Sequence, residues 1–289
     1  MMRLLSACKM SVIAGTEWSY QKHKFFGLSL SGIRTAISMP DLSLSFDVAQ
    51  GYPFLLNLKH YFISHGHLDH AAGIPYIISQ KAMTNQEPGR FYMPSSLIEP
   101  MTHIMNTWEE IEKHSYRYHF VPVQSDSEFI INAQYFIKSF PTTHRIESFG
   151  YTLFERQKKL KNEFLNLGRD EILKLKSQKV EIQEFQEIPI VTFTGDTQIE
   201  FLKSRRWIKN SKIIFLEATY LDDKRSIEHA RTWGHTHLDE IIPLLPEINC
   251  EQIVLIHASA RYSDNEALKI IDQKIPPQFK NRVLFFPGR

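Results

Sequence analysis

The chain reads as a mixed α+β fold in which helices cover the faces of β-sheet, and three observations predict it. Short apolar runs with the length of buried strands recur from one end to the other. Most of them stop at a polar residue suited to chemistry. Between them lie segments whose apolar residues return every 3.6 positions, so strands and helices occur in both halves. No repeat, low-complexity tract or Pro/Gly-rich linker divides the sequence. Its 289 residues suffice for one large core, so a single domain over 1–289 is expected.

In chain order, Leu44-Ser45-Phe46 leads to Asp47, and Tyr61-Phe62-Ile63 leads through Ser64 to His65. Residues 95–113 carry Leu97, Ile98, Met101, Ile104, Met105, Trp108 and Ile111 on one stripe, the pattern of a helix burying one face. Residues 134–140 lead through Pro141-Thr142-Thr143 to His144, 190–193 lead to Thr194-Gly195-Asp196-Thr197, and 213–216 lead to Glu217. A second helix is predicted over 238–245, with Asp239 and Glu240 in its first turn, where the helix dipole favours anions. The run 253–256 leads to His257, and a third helix over 266–273 is stopped by Pro276-Pro277. Functional groups at strand ends are what a β-scaffold offers an active site, with rigid backbone below and adaptable loops above.

Composition narrows the class. A hydrophobic content of 43% and a charged content of 23% are those of an ordinary globular protein. The net charge of +2 gives no general attraction for polyanions, so any basic surface must come from local clustering. Two cysteines, Cys8 and Cys250, make no disulfide framework, which favours a reducing compartment. Leu5-Ser6-Ala7-Cys8 imitates a lipoprotein cleavage box, but the apolar stretch before it, Leu4-Leu5, is far too short for a signal sequence. No run approaches the ~18 apolar residues of a membrane helix. A cytoplasmic protein without membrane contact is expected.

One segment departs from this balance. Residues 156–179 hold eight basic side chains against three acids, Glu163, Asp170 and Glu171. A solvated helical face is the usual meaning of such a run. The alternative is a short arm that grips a phosphate backbone, with Lys158, Lys159, Lys161, Arg169, Lys174 and Lys176 as its contacts.

The densest chemistry lies in Ser64-His65-Gly66-His67-Leu68-Asp69-His70, three imidazoles and a carboxylate within six positions. Four such groups at the end of a buried strand are costly unless something cationic compensates them. Side chains two apart on an extended segment share a side, so His65 and His67 converge. Asp69 and His70 are adjacent, diverge in a turn, and can serve a second centre. Six positions cannot complete both shells, and His144, Asp196 and His257 at strand ends are the natural additions. This donor set suits Zn²⁺, with Mn²⁺ or Fe as alternatives. A carboxylate such as Asp196 can bridge two cations ~3.5–4 Å apart, the spacing of two-metal hydrolytic sites. The competing readings are a loop that is merely His-rich and a single structural zinc. A lone histidine is more often a packing or surface residue than a ligand, but these are not lone.

His65-x-His67-x-Asp69-His70 after a strand resembles the signature of the metallo-β-lactamase superfamily. The later blocks resemble one branch of it, ribonuclease Z (tRNase Z). They are His144-Arg145-Ile146-Glu147-Ser148-Phe149-Gly150-Tyr151, Phe193-Thr194-Gly195-Asp196-Thr197, Leu216-Glu217-Ala218-Thr219-Tyr220, Gly234-His235-Thr236-His237 and Leu255-Ile256-His257-Ala258-Ser259-Ala260-Arg261-Tyr262. The match is nearest to the short, plant-type form, including Leu221-Asp222-Asp223 and Glu228-His229-Ala230-Arg231. The first motif specifies only the superfamily; the last three blocks together are more specific.

The resemblance implies an αββα sandwich, two mixed β-sheets covered by helices, with a dinuclear site at one edge. Position by position it gives His65, His67 and His144 to one metal and Asp69, His70 and His257 to the other. Asp196 bridges, with two Zn²⁺ per subunit. It also implies a proton donor, His235, oriented by Glu217, with His237 as the other candidate, and it counts Asp69 with this pair among the catalytic residues. The implied activity is cleavage of precursor tRNA, removing the 3′ trailer and leaving a 3′-hydroxyl. The implied assembly is a homodimer in which one subunit's arm serves the other's site.

Two departures accompany the match. Asp47 is followed by Val48-Ala49-Gln50-Gly51 rather than the Gly-Glu-rich loop of many bacterial members, and the stretch 156–179 replaces their long glycine/proline-tipped arm. Two other functions remain open. One is a small-molecule hydrolase on the same scaffold (cyclic-nucleotide phosphodiesterase, lactonase or thioesterase); an ester or lactone hydrolase would need neither Glu217 and His235 nor a basic arm. The other is a non-catalytic RNA-binding subunit, against which seven intact ligand positions argue. His23, His60, His103, His114 and His119 are read as surface or packing residues, and His229 as a residue of a helix surface or a support for the site. Arg261 and Tyr262 either hold the His257 loop or meet the RNA 3′ end.

Overall fold

In a computed structural model, which describes residues 15–288, the chain builds the same plan twice. Cys8 and the segment Leu5-Ser6-Ala7-Cys8 lie outside the described residues. The first sheet contains β1 (Thr16–Tyr20), β2 (His23–Leu30), β3 (Arg34–Met39), β4 (Leu44–Phe46), β5 (His60–Phe62), β6 (Arg90–Pro94) and β7 (His119–Val123), paired in that order. The second contains β8 (Glu128–Ile130), β9 (Tyr135–Pro141), β10 (Phe149–Leu160), β11 (Gln183–Phe193), β12 (Ile213–Glu217), β13 (Gln252–Ile256) and β14 (Val283–Phe285), again in sequence order. In each sheet the first four strands pair antiparallel and the last four parallel.

Parallel neighbours cannot be joined by tight turns, so the chain crosses over the outer faces. Over the first sheet run α1 (Leu68–Ala71), α2 (Ile74–Met83) and α3 (Ser95–Glu112). After α4 (Arg169–Ser177), which tips a hairpin, come α5 (Ile227–Thr232), α6 (Leu238–Ile241) and α7 (Asp264–Lys274) beside the second. The result is an αββα sandwich.

The central strands are buried on both sides, which explains their unbroken apolar runs. On β5, Phe62 faces the other sheet, while Tyr61, and Ile63 just past the strand, pack with Ile77, Met101 and Met105 of the helix layer. On β12, Phe215 points between the sheets, and Ile214 and Leu216 meet Leu238, Ile241 and Ile271. Between the sheets Phe46 stacks on Phe193 with centroids 5.1 Å apart, and Phe25 meets Phe215 edge-on at the same distance. Truncating one such ring to Ala removes about 3–5 kcal/mol, so these contacts hold the two halves in one body.

Two local expectations are corrected. The helix predicted over 238–245 is α-helical only to Ile241 and continues as 3₁₀ turns from Ile242 to Glu247. Pro243 and Pro246 lack the N–H groups that an α-helix would need there. Asp69 and His70 sit in the short helix α1 rather than in an open turn. Cys250 is buried, and burial pushes its thiol up to about 12, which leaves it inert. No helix among the described residues is long and apolar enough to cross a membrane.

Candidate active site

The site forms where strands end. Asp47 follows β4, Ser64 and His65 follow β5, His144 follows β9, Asp196 follows β11, Glu217 ends β12 and His257 follows β13. Parallel strands bring their carboxyl ends to one edge, and the antiparallel alternation from β9 to β11 returns both to that same edge. The sheets are sewn together there. Phe149 N donates to Ser64 O (3.0 Å), the Tyr151 hydroxyl to Ile63 O (2.6 Å) and His257 N to Ser29 Oγ (2.9 Å). Gly195 has φ +59°, and a Cβ there would meet Ser64 Cβ at 2.5 Å, so a side chain would push the two sheets apart.

All seven residues singled out as ligands converge at this edge. His65, His67, His144 and Asp196 place a ligand atom each within 4.8 Å of one another, and Asp69, His70 and His257 form a second such group. Asp196 touches both. Its Oδ2 lies 3.7 Å from His65 Nε2, and its Oδ1 lies 3.3 Å from His70 Nε2 and 3.2 Å from His257 Nε2. Asp69 Oδ2 stands 3.4 Å from His70 Nε2 and 3.5 Å from His257 Nε2, and accepts a 2.8 Å hydrogen bond from Gly32 N.

The surrounding hydrogen bonds decide which ring nitrogen faces inward. His70 Nδ1 donates to Asp47 Oδ2 (2.7 Å), and His144 Nδ1 donates to Gly234 O (2.8 Å). The Ser64 hydroxyl donates to Asp47 Oδ2 (2.8 Å), so Ser64 Oγ accepts from His65 Nδ1 (2.9 Å). The Thr219 hydroxyl donates to Glu217 Oε2 (2.9 Å) and therefore accepts from His257 Nδ1 (3.0 Å). Each of these four imidazoles thus has its Nδ1 engaged and turns its Nε2 inward, the arrangement of metal-ligating histidines.

The inward ring nitrogens meet at short range. His65 Nε2 is 3.0 Å and His144 Nε2 3.2 Å from His67 Nδ1, and His70 Nε2 is 3.3 Å from His257 Nε2. Asp196 Oδ1 is buried without a hydrogen-bond partner. Converging ring nitrogens and an orphaned buried carboxylate oxygen fit cations placed among them. Burial pushes His65, His67 and His144 below their usual range. Burial also opposes a charge on His70, but Asp196 and Asp47 outweigh it and hold that imidazole well above the usual range. Asp196 stays ionised despite burial because His257, His70 and His65 surround it.

Beside this cluster lies a second constellation. Glu217 is fully buried and receives five donors: Thr197 N (3.1 Å), Thr236 N (3.1 Å), Thr219 N (3.0 Å), the Thr219 hydroxyl and His235 Nδ1 (3.1 Å). His235 also lies 3.9 Å from Asp196 Oδ2. Burial disfavours its charged form, but Glu217 and then Asp196 overcome this and raise the imidazole to about 9. His237 is committed elsewhere: its Nδ1 accepts from Asp239 N (3.1 Å) at the start of α6, and its Nε2 donates to Asp222 O (3.0 Å). Of the two candidate donors, only His235 faces the cluster.

The basic residues lie apart from it. Past the sheet, β10 and β11 continue as a two-stranded hairpin to the register Leu160↔Gln183, tipped by α4. Lys158, Lys159, Arg169, Lys174 and Lys176 are exposed on this hairpin and Lys161 is half-buried. The returning strand tempers their charge, since Lys159 pairs in register with Glu184, and Arg156 bridges Glu128 (2.6 Å) and Glu187 (3.9 Å). His23, His60, His103, His114 and His119 lie outside these groups and outside a third that joins His235 to Asp196 and His257, and His229 stacks edge-on against Tyr220. Tyr262 holds the loop after β13, its hydroxyl donating to Asp222 Oδ1 (2.9 Å).

Several groups that shape the site were not singled out from the sequence. Asp47 had a signal, as a strand-end carboxylate, and it orients both His70 and Ser64. Thr219 stood within a motif. Gly32 N and the Gly234 carbonyl act through backbone atoms and leave no trace in residue type.

The chain matches the protein-family model described as "Anti-Pycsar protein Apyc1" over residues 41–275. It is 33% identical over 259 residues to "tRNase Z TRZ1" of Arabidopsis thaliana, covering 89% of this chain and 92% of that protein. It is 30% identical over 242 residues to "tRNase Z TRZ2, chloroplastic" of the same plant, covering 83% and 68%. Among solved structures it resembles the short form of human tRNase Z, with a TM-score of 0.58 and 18% identity over 92% of this chain and 96% of the other. It also resembles the metallo-beta-lactamase fold protein YhfI from Bacillus subtilis, with a TM-score of 0.55 and 14% identity over 92% and 89%. At those identities the structural likeness establishes the metallo-β-lactamase fold.

Proposed function

This chain belongs to the tRNase Z family and to the Anti-Pycsar protein Apyc1 family, and we propose that it is a metal-dependent endoribonuclease that removes the 3′ trailer of precursor tRNA. The observation that carries the reading is the half-buried His235 held by the buried Glu217 beside a metal-binding cluster. A phosphodiester whose leaving group is a sugar hydroxyl needs a proton at that oxygen, and this pair supplies one.

His65, His67 and His144 would hold one Zn²⁺ and Asp69, His70 and His257 a second, with the Asp196 carboxylate within reach of both groups. When bound, such ions provide hydroxide at neutral pH and neutralise the charge of a phosphodiester. The chain's own residues do the rest. Asp47, Ser64, Thr219 and Gly234 lock the imidazole orientations. Glu217 fixes His235 by its Nδ1, so the proton to be transferred sits on Nε2. As the bond from phosphorus to O3′ of the tRNA breaks under attack by hydroxide, His235 would give its proton to the departing O3′. The tRNA ends in a 3′-hydroxyl and the trailer begins with a 5′-phosphate. The projecting hairpin supplies the electrostatic grip, through Lys158, Lys159, Lys161, Arg169, Lys174 and Lys176.

A homodimer is part of the proposal. Helices α2 and α3 expose Tyr76, Met83, Ile104, Trp108 and Ile111, apolar side chains that a second subunit would cover. The function is tested by incubating the protein with a trailer-bearing precursor tRNA and Zn²⁺ or Mn²⁺ and mapping the ends. One major cut leaving a 3′-hydroxyl is expected. Hydrolysis of a cyclic nucleotide or lactone with the precursor left intact overturns it.

A further inference from the structure

Trp233 caps the C-terminus of α5 with 47% of its surface exposed. The Arg145 guanidinium carbon lies 4.9 Å from the centroid of its rings. A cation–π contact of this kind contributes about 0.5–1 kcal/mol at an exposed position, enough to favour one orientation of both side chains. Arg145 has no carboxylate partner among the described residues, so its charge is available.

The pair sits on the loops that carry the site. Arg145 follows His144, and Trp233 precedes Gly234 and His235. These loops touch at backbone level. Gly234 has φ +77°, and a Cβ there would come within 2.7 Å of His144 Nδ1 and 3.1 Å of Arg145 N. Two further bonds fix the approach, from Gln198 Nε2 to Arg231 O (2.9 Å) and from Gln198 N to Thr143 O (2.9 Å). An aromatic ring held beside the proton donor, with a free cation against it, is suited to a nucleobase and the phosphate attached to it.

We propose that the Trp233 ring, braced by Arg145, is the platform on which the base of the last retained nucleotide of the tRNA stacks. The inference rests on the endoribonuclease reading and says where that substrate lies. His235 protonates O3′ of this nucleotide, so its sugar rests against His235, and Trp233 is the aromatic surface two residues away. Stacking is indifferent to base identity because every base has a π face. Such a contact accepts any nucleotide at that position while fixing its distance from the proton donor, which makes Trp233 a positioning residue.

The test is a two-by-two comparison of kcat/KM, using wild type and Trp233→Ala on precursor tRNA with either a normal or an abasic residue immediately 5′ of the cut. Trp233→Ala is expected to lose about 10- to 100-fold on the normal substrate, and the abasic change to cost wild type a similar factor. The two together should cost little more than either alone, and Trp233→Phe should recover most of the loss. Losses that multiply, or normal cleavage by Trp233→Ala, overturn the platform while leaving the endoribonuclease reading intact. A wild-type protein that leaves the normal precursor uncut overturns both.

Discussion

His235 Nδ1 lies 3.1 Å from Oε1 of Glu217, a carboxylate with no solvent exposure. Because that oxygen also accepts two backbone N–H groups, it cannot swing toward the metal-binding cluster, and its charge acts on His235. The outcome is an imidazole raised to about 9 by Glu217 and Asp196 against burial, and therefore protonated at neutral pH.

His235→Ala is accordingly expected to retain its metal and to lose about 10²–10⁴ in kcat on precursor tRNA. Metal content measured on the purified variant beside single-turnover rates checks this. Loss of metal together with activity would make His235 a ligand in place of the proton donor.

Asp196→Ala should behave in the opposite way. Its carboxylate stands between both histidine groups, so removing it should abolish metal retention and cleavage together. A variant that still holds a full complement of metal would show that the two groups do not share this residue.

Reversing Lys158, Lys159 and Lys161 to Glu should weaken precursor tRNA binding by ten-fold or more and flatten its salt dependence. Hydrolysis of a small phosphodiester should change far less, since the hairpin projects away from the cluster. Equal losses on both substrates would mean that the hairpin matters for folding and not for RNA.

For the proposed homodimer, wild type is expected to sediment as a dimer at micromolar concentration and Trp108→Glu as a monomer, because the change puts a charge on the exposed α3 face. An unchanged dimer would move the interface elsewhere.

His60 gives the protein an acid limit independent of the site. Burial, then Arg90 and Lys59, lowers its imidazole from 6.5 to about 4, where it bonds Tyr92. Below 6.5 the unfolded chain therefore takes up a proton that the folded chain refuses. Stability should fall as pH drops from 6.5 toward 4, by up to about 3 kcal/mol, and should be indifferent to this residue above 6.5. His60→Gln should flatten that slope in urea titrations run across the range. Parallel slopes for the two proteins would exclude the buried imidazole as the cause.

Much of the site was legible because strand ends announce themselves in one dimension. An apolar run that stops at His65, Asp196, Glu217 or His257 marks both the strand and the chemistry. The α1 and α6 boundaries were less legible, because prolines and loop contacts, and not periodicity, end short helices. The basic run 156–179 looked more cationic in the sequence than in the fold, since Glu184 and Glu187 arrive beside it only when β11 returns.

By itself the sequence determined which donors are present, that they follow strands, and that His65 and His67 share a side, because all of this depends on residue type and local period. Tertiary structure decided the remainder. It separated His235 from His237 by spending the latter on the first turn of α6, and it set each imidazole's inward nitrogen through partners as distant in sequence as Asp47 and Gly234. It also put Trp233 against Arg145. Hydrogen-bond direction and ring contact depend on groups that meet only after both sheets have closed on one another, and no spacing along the chain encodes them.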